Sequence, residues 1–244
     1  MWSTLLLASV FATSVLSGVL GMAGGMILMA ILVSLMSVPA AMIIHGVVQA
    51  TSNGSRAWFL RAHIRWRVLP PYLLGAAVTL AAFAALTLVP EAGLVLVLVG
   101  IFPWLARVVP RLQGLDVERP ATAVACGATV TAAQLFAGAS GPLLDVFYLN
   151  SSMDRYQVIA SKAFTQTIGH GLKLAYYGTI IGVAETLPWW MFGAAMATAV
   201  AGTRVGTRLL GRLRDDVFRR VSGWVILAIA AVCVVKGGME LAGW

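Results

Sequence analysis

Two glycine clusters break apolar stretches of this chain, and they stand 117 positions apart. The first reads Gly21-Met22-Ala23-Gly24-Gly25-Met26 and the second Gly138-Ala139-Ser140-Gly141-Pro142-Leu143. The same offset carries Gln49 onto Gln166, Gly54 onto Gly171, Arg56 onto Lys173 and Pro71 onto Pro188 without a gap. A register held over that length marks two copies of one unit, each opening on a glycine-broken apolar segment. The copies are taken as residues 1–112 and 113–244.

With 60% hydrophobic and 11% charged residues, the chain lies far from soluble domains, in which about a quarter of residues are charged. The expected class is an all-α integral membrane protein. Runs such as 73–88, 92–106 and 221–235 approach the roughly 20 apolar residues that cross a hydrocarbon core of about 30 Å. The net charge of +8 does not point to nucleic acid, because the basic residues sit in short patches at the ends of apolar spans. Cys126 and Cys233 stand in apolar sequence with no CxxC and no accompanying histidines, which reads as packing. The first twenty residues lack a basic leader region and run on into the glycine cluster, so they read as a mature membrane segment.

Apolar segments at about 2–20 and 25–37 flank the first cluster, and spans at about 39–60, 68–89 and 92–108 follow. The second copy repeats the series at 119–136 and 141–150, then 156–181, 188–209 and 217–240. Cytoplasmic loops collect Lys and Arg. In the first copy Arg61, Arg65 and Arg67 lie in one connection and only Glu91 in the next. In the second copy the order reverses: Glu185 lies in the first, and Arg204, Arg208, Arg212, Arg214, Arg219 and Arg220 lie in the next. Equivalent loops therefore belong on opposite sides, which is the mark of an inverted-topology repeat.

Inversion needs an odd number of crossings per copy, so each glycine-broken pair must enter and leave by one face. Ten residues at 141–150 extend roughly 15 Å as a helix, about half the hydrocarbon thickness. Each copy is thus expected to be a re-entrant helical hairpin plus three transmembrane helices, with hairpin tips at about 21–26 and 138–143. The link carrying Arg107, Arg111 and Arg119 falls on the cytoplasmic side, which places both termini outside.

A glycine-rich tip lets a ligand approach the backbone, and the helix that follows presents free N–H groups and the positive end of its dipole. Gly24 and Gly25 in one tip, with Ser140 and Gly141 in the other, make an anion site; the competing reading is close helix packing. In the next segment His45, Gln49 and Asn53 recur every four residues on one helix face, with Arg56 a turn further; Lys162, Gln166, His170 and Lys173 are the equivalents. Ionisable groups within spans are costly and usually face a cavity or a partner. Arg56 is expected to snorkel to the membrane surface, and Lys162 either to snorkel or to attract substrate. Gln49 and Gln166 supply donors near the midplane or join helices. Asp145 pairs with one of these cations or carries a proton. His45, His63 and His170 lack ligand spacing, so no metal and no cofactor is expected. No nucleophile motif, phosphate loop or paired-carboxylate signature points to an enzyme.

With the glycine cluster after its first apolar segment, the polar-lined segment after it and the second copy opening on Gly138-Ala139-Ser140-Gly141-Pro142, the chain resembles the sulfite exporter TauE/SafE family, also called the toluene sulfonate uptake permeases. The resemblance implies movement of sulfite, sulfonates or sulfoacetate across a bacterial inner membrane, commonly outward. The expected function is a secondary transporter of small sulfur-containing anions, working in the lipid bilayer, with room for a homodimer and no nucleic-acid partner. Two other readings stay open from the residues alone: a cation or metal transporter using Asp145, His45 and His170, and a non-transporting membrane scaffold.

Overall fold

The computed structural model describes residues 2–20, 23–108, 115–148, 150–182, 188–210 and 215–243. Gly21, Arg111, Glu185, Arg212 and Arg214, the side chains of Arg107, Arg219 and Arg220, and the boundary at residues 112 and 113 lie outside the described residues. The described chain is helical throughout, with no strand. Its helices are α1 (Trp2–Leu20), α2 (Ala23–Val33), α3 (Val38–Phe59), α4 (Leu69–Leu86), α5 (Ala92–Val108), α6 (Pro120–Ala137), α7 (Gly141–Tyr148), α8 (Arg155–Ala175), α9 (Trp189–Leu210) and α10 (Asp215–Leu241). Two 3₁₀ turns, Arg61–His63 and Trp66–Val68, join α3 to α4, and a π-helical turn, Tyr176–Ile181, extends α8.

The sequence marks many of these boundaries. Proline opens α3, α4 and α6, where its missing N–H costs nothing and its fixed φ suits the first turn. Asp154 caps α8 by accepting from the backbone N–H groups of Tyr156 and Gln157, while the Gln157 side chain accepts from the Asp154 N–H. This reciprocal box satisfies donors that a helix start leaves unpaired. Gly138 ends α6 at φ 69°, a left-handed cap that glycine adopts without strain. Three residues later α7 begins, so the second cluster works as a stop followed by a start.

Polarity runs inside out. His45, Gln49, Asn53, Gln134, Ser140, His170 and Lys173 are buried, while Leu74 and Val78 of α4 and Val232 and Val235 of α10 are exposed. In a soluble protein that pattern would be costly; in lipid it is the stable one. Among the described residues, three helices suffice by length and composition to cross a membrane: Trp66–Leu86, Pro120–Ala137 and Trp224–Leu241. Six such spans are expected from the sequence. α3 and α8 fall short on hydropathy because each carries a polar face, and the apolar part of α5, Ala92–Ala106, is shorter.

The helix pairs that pack most extensively are α1 with α9, α4 with α6, α5 with α10 and α3 with α8. Small residues permit these approaches. A Cβ on Gly127 of α6 would strike the Tyr72 carbonyl of α4, and one on Gly206 of α9 the Val15 carbonyl of α1.

Contacts sort the connections into two ends of the bundle. At one end the Arg65 N–H donates to Ser161 Oγ (2.9 Å), the Arg65 guanidinium lies 3.9 Å from Glu118, and the Val117 N–H donates to the Phe147 carbonyl (3.0 Å). The start of α6 and the end of α7 are thereby on one side. At the other end the Tyr176 hydroxyl donates to the Leu88 carbonyl (2.7 Å) and Lys236 Nζ to Ser34 Oγ (2.6 Å). There Leu5 and Ser9 of α1 border the same apolar groove as Ser34 and Leu35 beyond α2.

Candidate functional site

A cavity of about 850 Å³ opens among α1, α2, α3, α8, α9 and the start of α7. Nine of the residues singled out from the sequence line it: Gly25, His45, Gln49, Asn53, Ser140, Gly141, Lys162, Gln166 and His170. Both glycine clusters and both polar helix faces therefore meet in one place, as the four-residue spacing requires of α3 and α8.

Gly24, Lys173 and Asp145 are not among the lining residues. Gly24 turns away, toward α1, where a Cβ would strike the Thr13 carbonyl and Ser17; its lack of a side chain serves helix packing. Gly25 turns inward, and a Cβ there would lie 2.5 Å from Gln49 Nε2. Asp145 of α7 pairs with Lys162, one of the cations the sequence left open as its partner. Arg56, expected to snorkel, is among the residues that line the cavity.

Lys173 lies beneath the floor, fully buried. Its ammonium donates to the Gly138 carbonyl (2.9 Å) and to His45 Nδ1 (2.8 Å), and His45 Nε2–H donates to the Gly25 carbonyl (2.9 Å). An ammonium has no lone pair, so His45 must accept at Nδ1 and donate at Nε2. One continuous chain of hydrogen bonds thus ties the two glycine clusters together and shuts this end of the cavity. The opposite end is open: Phe59, Arg204 and Arg208 line the cavity and are exposed.

Several lining or supporting residues were not singled out from the sequence. Gln134 of α6 is buried, with Nε2 at 2.5 Å from His170 Nδ1 and 3.1 Å from His170 Nε2, and it accepts a hydrogen bond from Ser140 Oγ (2.5 Å). Ser17 lines the wall opposite. Ser17 and Gln134 are themselves 117 positions apart, each polar within an apolar run, and that coincidence was the available signal. Arg204 and Arg208 entered the sequence reading only through the topology of their loop.

The charge on the wall is one-sided. Arg56, Lys162, Arg204 and Arg208 line the cavity, and no Asp or Glu does so among the described residues. A low-dielectric cleft lined by one sign of charge concentrates the opposite ion. Amide, hydroxyl and imidazole donors stand among the cations, with the first turns of α2 and α7 beside them, a lining whose chemistry suits a negatively charged ligand. Among the described residues no group of three or more His, Cys, Asp or Glu comes together that could hold a metal ion.

No curated protein and no solved structure matches the chain. A family model described as Sulfite exporter TauE/SafE matches residues 5–233, a range that contains both glycine clusters and every residue named around the cavity. On that match the chain belongs to the sulfite exporter TauE/SafE family of membrane transporters.

Proposed function

We propose that this protein is a secondary transporter that moves small sulfur-containing anions, such as sulfite, sulfonates or sulfoacetate, out through a bacterial inner membrane. The observation that carries the reading is the cavity between the glycine clusters, lined by cations and neutral donors and free of carboxylates among the described residues. Substrate lies between the tips, near Gly25, Ser140 and Gly141. Gln49, Gln166 and Asn53 donate from the two helix faces, and His45, His170 and Lys162 draw the charge. Gly24 and Lys173 act from behind this surface by holding the tips in place. An inside-negative potential favours expelling an anion by about 2.3 kcal/mol per charge per 100 mV.

The architecture proposed is the inverted repeat of residues 1–112 and 113–244, each a re-entrant hairpin followed by three spans. Helix pairing supports it, since exchanging the halves maps α1 with α9 onto α6 with α4 and leaves α5 with α10 and α3 with α8 in place. The length of α7 supports the re-entrant form: eight residues extend about 12 Å, under half the hydrocarbon thickness. The arginine-rich end is cytoplasmic and both termini are outside. Alternating access comes from rocking one half against the other around a fixed site.

Efflux from liposomes loaded with sulfite or a radiolabelled sulfonate tests the function. Release above protein-free controls is expected; none across sulfite, thiosulfate, sulfoacetate, taurine and sulfate refutes it. Cysteines at positions 61 and 208 are expected to react from the same side, and labelling from opposite sides would end the inverted-repeat reading.

A further inference from the structure

Three bases meet at the sealed end of the cavity, and no carboxylate lines it among the described residues. His45 and His170 have ring centroids 5.6 Å apart, and Lys173 bonds His45. Around His170 the charged and titratable neighbours are His45 from α3, Lys173 one turn along α8 and Lys162 two turns the other way. From α6 comes only the neutral Gln134, and from the second glycine cluster only Ser140. Asp145, the acid of the adjoining α7, is paired with Lys162. A further positive charge on His170 has only cations and neutral groups among these neighbours.

The hydrogen bonds separate the roles of the three bases. Both nitrogens of His45 are committed, one accepting from Lys173 and the other donating to Gly25. His170 touches only Gln134 among these bonds, and it lines the cavity. A primary amide presents NH₂ on one side and C=O on the other. With NH₂ toward His170, Gln134 donates to a neutral ring while its oxygen accepts from Ser140. Turned over, the same amide accepts from a protonated ring, and its NH₂ donates to the Ser140 oxygen. In both orientations Gln134 stays bonded to His170 and to Ser140, so this contact fits either protonation state of the ring.

We infer that His170 is a proton site coupled to the anion: binding of an anion in the cavity is accompanied by transfer of one proton from solvent to the His170 imidazole, with Gln134 turning to receive it. The inference rests on the cavity being an anion site. A negative charge about 4 Å from the ring, at an effective dielectric of about 20, raises its proton affinity on the order of a thousandfold. Linkage is reciprocal, so protonation raises anion affinity by the same factor. Charge moved per turnover is then smaller than the charge of the free anion, and a pH gradient can drive or oppose transport.

The test uses p-toluenesulfonate, a permanently ionised probe with no proton of its own to exchange. Calorimetric titration of the full-length protein in buffers of different ionisation enthalpy counts protons taken up per anion bound, and about one is expected near neutral pH. In His170→Gln the count is expected to fall to near zero. The wild-type protein gives a second readout independent of that variant's folding: ¹⁵N spectra of its three histidines should show one ring, not His63 in its exposed turn, passing from neutral to protonated on anion addition. Binding with the same heat in every buffer and unchanged histidine spectra overturns the inference and leaves the transporter reading standing. Failure of p-toluenesulfonate and of every anion in the efflux panel to bind overturns both.

Discussion

Replacing Asp145 with asparagine separates an anion site from a cation site, because the two predict opposite signs. Asp145 pairs with Lys162 from behind, while Lys162 lines the cavity. An anion about 4 Å from the Lys162 ammonium gains about 4 kcal/mol at an effective dielectric of about 20, and a carboxylate about 7 Å from the same anion removes about 2.4 kcal/mol of that. The two side chains are 22% and 31% exposed, and screening by water and salt reduces the carboxylate's share to about 1 kcal/mol. Asp145→Asn is therefore expected to tighten anion binding about fivefold. Lys162→Ala is expected to weaken it by more than that, since it also leaves Asp145 as an uncompensated negative charge near the cavity. Calorimetry with sulfite and p-toluenesulfonate at low and high salt measures both, and the difference should shrink as salt rises. Loss of binding in Asp145→Asn with binding retained in Lys162→Ala would refute the reasoning and favour a cation transporter.

Gly127→Leu should lower thermal stability by about 3 kcal/mol or more, because its side chain meets the Tyr72 backbone, which has little freedom to yield. Gly171→Leu, with nothing within 4 Å, should leave the melting temperature in detergent unchanged, and equal melting of the two variants would contradict the packing argument. Gly25→Ala should fold, since the atom displaced is the flexible end of Gln49, yet bind anion about tenfold more weakly through loss of one well-placed donor; undiminished affinity would remove Gly25 from the site. Glu118 accepts from the Ser152 N–H (2.9 Å) and hydroxyl (2.6 Å), and these bonds, the hydroxyl's first, hold its carboxyl below the ordinary value. A depressed folded value means that this stability is present above the unfolded value of about 4.3 and is lost as pH falls through the lower folded one. Glu118→Gln should flatten the fall in melting temperature below pH 5, and an identical acid slope in both proteins would show that the bond contributes nothing.

Much of the site could be read from the sequence because its signal is periodic. His45, Gln49 and Asn53, and Lys162, Gln166 and His170, keep a four-residue spacing that puts them on one face wherever the helix lies. All six line the cavity. Depth is not periodic, and a four-residue spacing alone does not set it. Lys173 shares the face of Lys162, yet it sits one turn beyond His170, under the floor. Arg56, its counterpart by offset, stands toward the open mouth. Gly24 and Gly25 are neighbours on α2 and differ by about 100° in direction; only the position of α1 decides that one packs and the other faces the cavity. Gln134 was missed for a related reason, since a lone amide in an apolar run gains meaning only from the imidazole opposite it. The pairing of α4 with α6 across the two halves rests on glycines at a crossing point, which no local pattern identifies.

The hydrogen-bonded chain from Gly138 through Lys173 and His45 to Gly25 has counterparts by position in the other half of the sequence. By the 117-residue offset Lys173 answers to Arg56 and His45 to Lys162. On the sealed side those positions are knotted to the tips; on the open side one lines the cavity and the other is held by Asp145. If the halves trade conformations, Arg56 becomes the latch that reaches for the first glycine cluster, and Lys173 becomes the gatekeeper at a mouth on the far side. A Lys173→Cys reporter would then react from outside only in that form. On the proposed inverted repeat, the asymmetry of this one structure would then describe both ends of a transport stroke, with the roles of two cations exchanged.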